Sequence, residues 1–261
     1  MNHEEADTKL VSLVRHAIEN TDEADTKYLV RSSSGDIDIP VIFLSSNLTG
    51  DIVLDNGRSN SRKLLHLTHC KLNPMQKKAL VGFHAFTGCD QNSSFFRKGK
   101  KNSWKKAQNY LGSFSQLGES YDIPNELYLD LEAFVCHLYG GKGNNVDKLR
   151  SEIFWKTLRT KDRVIELSLL PPCRKSLMLH IKRSNYISRI WRQAEVDMMV
   201  IEKLSDHGWN EDLSLCWPSQ FLPDCLVSDV DVSQDNVTEY DFDTDSEDEV
   251  VSDEANSDIE E

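Results

Sequence analysis

The chain is expected to fold as a mixed α/β body, with a helical region and an acidic tail behind it. Three observations predict this. Short β-branched and aromatic runs alternate with amphipathic helical stretches up to about residue 118. From Pro124 to about Val200 the periodicity is helical throughout. From Leu204 to Glu261 there is no Lys or Arg, and 19 residues are Asp or Glu. The division expected is 1–118 for the α/β part, 119–222 for the helical region and 223–261 for the tail.

The formal charge of −13 over 261 residues hides two regions of opposite sign. Residues 1–203 hold 30 Lys and Arg against 24 Asp and Glu. A mildly basic body suits nucleic acid or phosphate, and also an ordinary solvated surface. The six cysteines show no CxxC spacing, which excludes a zinc framework and points to reduced thiols. No apolar run approaches membrane-spanning length, and the acidic, polar start MNHEEADTK does not read as a secretory signal. A nuclear or cytoplasmic location follows, with no membrane partner.

Glu4 to Glu19 reads as a helix with Leu10, Val11, Leu13, Val14 and Ile18 on one stripe. Glu5 and Asp7 in its first turn complement the helix dipole, or ligate a metal. Tyr28 to Ser33 reads as a strand, ended by a Ser/Gly turn and by Asp36 and Asp38. Those two aspartates fit turn and cap chemistry, or a site at the carboxyl end of a strand. Pro40 resists a central strand position, leaving Ile39 to Leu44 open between strand and helix. Asp51–Leu54 and Lys63–Leu67 read as a hairpin around Asn56-Gly-Arg-Ser-Asn-Ser.

Asn73-Pro74 opens the next helix, whose Ala79, Leu80, Phe83 and Phe86 share a face. His84 reads as a partly buried helix histidine. Asp90 emerges after Thr87-Gly88-Cys89, with Phe95 and Phe96 placed to anchor the turn. Arg97, Lys98, Lys100, Lys101, Lys105 and Lys106 then surround Gly99, where amides could approach phosphate closely and lysines neutralise it. A solvated basic helix is the plainer alternative. Three further helices are predicted at Asn125–Tyr139, Val146–Arg159 and Arg174–Val200. The last would carry Lys175, Lys182 and Arg189 on one face. Trp155, Trp191, Trp209 and Trp217 read as packing anchors. The tail composition predicts disorder, and Ser246 and Ser252 sit in acidic contexts suited to phosphorylation. The tail could bind basic protein partners, compete with nucleic acid, or only solubilise.

Over about residues 3–115 these pieces resemble the flap-endonuclease-like group of the PIN-like nuclease fold. Glu5-Ala6-Asp7 looks like that group's acidic helix start, and Asp36-Ile37-Asp38 like its Asp-x-Asp strand end. Thr87-Gly88-Cys89-Asp90 looks like its Gly-Ser/Cys-Asp helix end, and Phe95 to Lys106 like its DNA-gripping turn. The resemblance implies a partial PIN-like parallel sheet and Mg²⁺ or Mn²⁺ held by Glu5, Asp7, Asp36, Asp38 and Asp90. It also implies DNA held by Arg97, Lys98, Gly99, Lys100, Lys101, Lys105 and Lys106. Relative to that group, an N-terminal part of the sheet with two further aspartates is missing, so the domain is expected to be an incomplete nuclease, or a non-catalytic remnant that binds nucleic acid or protein. HEEADTK, GFHAFTGCD and LPPCRKSLMLHIKRSNY are also similar to a multicopy animal group associated with mobile elements, which implies no activity.

Overall fold

The computed structural model describes residues 6–21, 25–58, 60, 62–160 and 166–210. Glu5, Trp217, Ser246, Ser252 and the predicted tail 223–261 lie outside these residues. Helix α1 (Ala6–Glu19) leads to β1 (Lys27–Ser32), α2 (Asp38–Ser45), β2 (Asp51–Asn56) and β3 (Lys63–His66). Then come α3 (Pro74–Thr87), α4 (Lys100–Ala107), α5 (Leu111–Gln116), α6 (Asn125–Leu138), α7 (Val146–Thr160) and α8 (Arg174–Arg192). The chain is therefore mixed α/β, as predicted.

The sheet has the order β1-β2-β3. β1 and β2 are parallel, with Leu29 opposite Val53, joined through α2 as a βαβ crossover. β2 and β3 are antiparallel, with Val53 opposite His66, so the predicted hairpin forms. Pro40 resolves the open stretch in favour of helix: it sits in the first turn of α2, where its missing N–H costs nothing. One sheet face packs on helices through Val30, Ile52 and Leu54. The other bears cross-strand ion pairs, Lys27–Asp51 at 3.3 Å and Arg31–Asp55 at 3.0 Å, with Arg62 also on Asp55. Arg62 and then Arg31 hold the Asp55 carboxyl down to about 2, against the opposing effect of its burial.

Helix α3 starts with a complete capping box, in which Asn73 accepts from the Gln76 amide and Gln76 accepts from the Asn73 amide. α3 and α8 are the two central helices. Phe83 and Phe86 of α3, with Leu177 and Ile181 of α8, join Phe114, Leu131 and Phe134 in one core. Val81 and Ala85 of α3, with Ile187 and Trp191 of α8, join Val11, Ile39, Ile42 and Ile52 in the other. Both cores thus draw on residues from each side of position 118. Gly82 lets α5 cross closely, because a Cβ there would lie 2.1 Å from the Phe114 carbonyl oxygen.

Helix α8 differs from its prediction. It ends at Arg192 rather than near Val200, and it is buried on most of its surface. Its arginines turn onto protein groups. Arg183 donates to the Gly208 carbonyl at 3.0 Å, Arg189 pairs with Glu202 at 2.6 Å, and Arg192 donates to the Leu117 carbonyl at 2.8 Å. No basic face runs along it, since Lys182 is half-buried and Arg189 is paired. Trp191 and Trp209 are buried as expected, whereas Trp155 is exposed and anchors nothing central. Among the described residues, no helix is long and apolar enough to cross a membrane, and Cys70, Cys89, Cys136 and Cys173 are free thiols.

One buried group sets an acid sensitivity. His180 on α8 donates from Nε2 to the Phe86 carbonyl at 2.7 Å. Burial pushes this imidazole down to about 4, with Arg183 adding to the effect and the Phe86 bond opposing it. Between the free-histidine value and about 4 the unfolded chain binds more protons, so stability falls as pH drops through that window. Urea unfolding is expected to show a loss of roughly 2–3 kcal/mol from pH 7 to pH 4 attributable to this residue. His180→Gln, which keeps a donor, is expected to flatten that part of the profile; an unchanged slope would remove His180 as the cause.

Candidate functional site

Four of the five aspartates and glutamates proposed as ligands are among the described residues, and local structure places each. Asp7 stands in the first turn of α1 and is half-buried. Asp36 follows β1, where its Oδ1 accepts from the Asp38 amide at 3.0 Å, the turn chemistry that its sequence context allowed. Asp38 opens α2 and is buried. Asp90 is exposed at the tip of a tight turn closed by Cys89 and Asn92, which exchange backbone hydrogen bonds of 3.0 and 3.2 Å. Gly88 is obligatory for that turn: its φ is +115°, and a Cβ would meet Ser94 at 2.7 Å.

The charges of Asp36, Asp38 and Asp90 all reach Asp7 at the start of α1. Burial first, then the charges of Asp36, Asp38 and Asp90, hold the Asp7 carboxyl above the usual aspartate range. Three segments distant in sequence thus converge within electrostatic reach. Carboxylate oxygens are the right donors for a hard divalent cation. As the side chains stand, however, no three His, Cys, Asp or Glu among the described residues are grouped to hold a metal ion. One reason is visible: Asp38 is taken by His84, with Oδ1 and Nε2 2.6 Å apart and both side chains buried. His84 also lies beside the Trp191 ring, the centroids 5.9 Å apart.

Sequence reasoning missed how the Asp90 turn is held. Buried Asn92 donates to the Ala85 carbonyl at 3.1 Å and to Ser184 Oγ at 2.9 Å, and Arg183 Nε reaches its Oδ1 at 3.4 Å. This fastens the turn to α3 and α8. Nothing local in the sequence marks the two contacts with α8, which join residues about 90 apart.

The basic segment is split by the structure. From Gln91 to Gly118 there are six cations and no carboxylate. Lys100 is not on the surface grip. Its ammonium turns inward to the carbonyls of His84 (3.2 Å) and Gly88 and to Thr87 Oγ1 (3.3 Å), a cation at the negative end of α3. Burial lowers its pKa to about 8, while Cys89 and Asp38 oppose that shift. Beside it, burial raises the Cys89 thiol to about 11. Lys98 lies over the Tyr139 ring at 4.7 Å, and Arg97 lies over Phe96 at 5.1 Å with a long 3.9 Å contact to Glu166. Lys106 is half-buried, whereas Lys101 and Lys105 are exposed with no partner among the described residues.

Gly99 precedes α4 with φ −64°, an ordinary value, and a Cβ there would meet open space. The backbone therefore does not require glycine there. Arg97 is the strained position instead, with φ +54°. Phe95 anchors the segment in the core as expected, but Phe96 is exposed.

No known protein family, curated protein or solved structure matches this chain.

Proposed function

We propose that the α/β part is a partial flap-endonuclease-like fold of the PIN type, and that it acts on or binds DNA as a nuclease-like domain. The single observation that supports this best is the effect of the Asp36, Asp38 and Asp90 charges on Asp7, with Asp90 directly ahead of a segment that has six cations and no carboxylate. Like charges at one place repel unless a cation is shared. The resemblance gives Mg²⁺ or Mn²⁺ to Glu5, Asp7, Asp36, Asp38 and Asp90. As the described side chains stand, no three are grouped for it, so an ion would have to draw Asp7, Asp36 and Asp90 together, where it would supply activation of water for phosphodiester attack. The residues' own work is to bind. Lys101, Lys105 and Arg97 neutralise the backbone.

The test is cleavage of labelled branched and single-stranded DNA by the full chain in Mg²⁺ or Mn²⁺. Asp90→Ala is expected to lower the rate at least about 100-fold, since positioning errors at such a centre are costly. Equal rates for the two proteins would end the catalytic reading.

The Asp38–His84 pair favours a second reading, a non-catalytic DNA-binding domain, because it occupies a carboxylate that a metal centre would need. That reading expects DNA binding without cleavage, weakened by salt. Replacing Lys101 and Lys105 by Gln would reduce the slope of log K against log salt by about 0.7 per lost contact on a single strand.

A further inference from the structure

We propose that Phe96 and Arg97 form a platform on which an unpaired base of single-stranded DNA stacks. The proposal rests on the DNA reading above and narrows it to strands whose bases are free.

Phe95 to Lys98 make a β-turn, closed by the Lys98 amide donating to the Phe95 carbonyl at 3.0 Å. Both ends of the turn are held: Phe95 is buried in the helical core, and Lys98 lies over the Tyr139 ring. The tip is not. Phe96 is 41% exposed, although the sequence offers it as a core anchor. Phe95 already fills that role, so the core does not need a second ring. Arg97, the third residue of the turn, has φ +54°, the only positive φ outside glycine among the described residues. Glycine or asparagine ordinarily takes such a position. A long side chain held there is a strained choice of the kind that gathers at binding sites. In this conformation the Arg97 guanidinium lies over the Phe96 ring, 5.1 Å from its centroid.

An exposed ring and a guanidinium side by side suit one ligand chemistry. Every nucleobase has a π face, and it stacks on a phenyl ring or a guanidinium plane whatever the sequence. The phosphates on either side of that base then meet the six cations between Gln91 and Gly118, a stretch without a carboxylate. Glu166 reaches Arg97 at 3.9 Å, a long contact between exposed side chains that a phosphate can replace. In a duplex the base faces are already stacked on each other, so the platform favours unpaired strands. The other exposed Tyr and Trp among the described residues lack this setting. Tyr121 donates to the Asp206 carboxylate at 3.0 Å, and Trp155 stands one helical turn from Glu152.

The test titrates the full chain, in EDTA to prevent cleavage, with three fluorescein-labelled DNAs. These are a 20-nucleotide single strand, its blunt duplex and an abasic strand of equal length. Wild type is expected to bind the single strand about tenfold more tightly than the abasic strand. Phe96→Ala is expected to lose about tenfold on the single strand and under about twofold on the other two. Its slope of log K against log salt stays that of wild type, because no phosphate contact is removed. Phe96→Trp is expected to keep the wild-type affinity, and Trp155→Ala to change none of the three. Urea midpoints within error of wild type show that Phe96→Ala still folds, as expected for an exposed site. No loss on the single strand, an equal loss on all three DNAs, or the same loss in Trp155→Ala would overturn the platform and leave the DNA reading standing. Binding of none of the three by wild type would end the DNA reading, and the platform with it.

Discussion

His84→Ala is expected to destabilise the fold by about 3–5 kcal/mol in urea unfolding, because it strands the buried Asp38 carboxylate. Both side chains are almost fully covered, 3% exposed for His84 and 4% for Asp38, and they meet at 2.6 Å. Asp38 opens α2 and His84 lies in α3, so the pair joins the helix that covers the sheet to the helix that delivers Asp90. A double-mutant cycle separates this from simple loss of packing. Asp38→Ala/His84→Ala is expected to cost less than the sum of the two single changes, since the double change leaves no unpaired charge. Additive losses would mean that the pair is not coupled.

Phe86→Ala is expected to cost a similar amount, about 3–5 kcal/mol, for a different reason. The ring is fully buried and has ring neighbours on four sides: Phe95 at 5.4 Å, Phe114 at 5.7 Å, Phe134 at 6.0 Å and His180 at 5.1 Å between centroids. These come from four different parts of the chain, so collapse around the cavity is hindered. Trp155→Ala, a larger truncation at a position 46% exposed, is expected to cost under about 1 kcal/mol. If the two changes cost the same, the helical core is not where this structure puts it.

Local rules carried much of the fold. Asn73-Pro74 announced α3, the β-branched run at 51–54 announced β2, and Gly88 announced the turn that presents Asp90. Failures came where long-range partners decide. Lys175, Lys182 and Arg189 read as one face of the last helix, but Lys182 is half-buried and Arg189 is paired with Glu202. Lys100 read as a phosphate contact, yet the end of α3 claims it. His84 read as a partly buried helix histidine, and it is buried in α3, but its partner was hidden because Asp38 lies 46 positions away. In the site, the three acidic segments were legible as residue types at separate places. The reach of the other three charges to Asp7 is a property of packing, and so is the loss of Asp38 to His84.

The most direct measurement of the central claim is the pKa of Asp7, followed by carbon NMR of its carboxyl. In the wild-type chain it is expected above the ordinary aspartate value of 3.8, and it should fall, though not fully, in Asp36→Asn/Asp90→Asn, because burial remains after two neighbouring charges are removed. An Asp7 value that does not move when those two charges are removed would mean that the aspartates do not share one site, and the nuclease-like reading would lose its foundation.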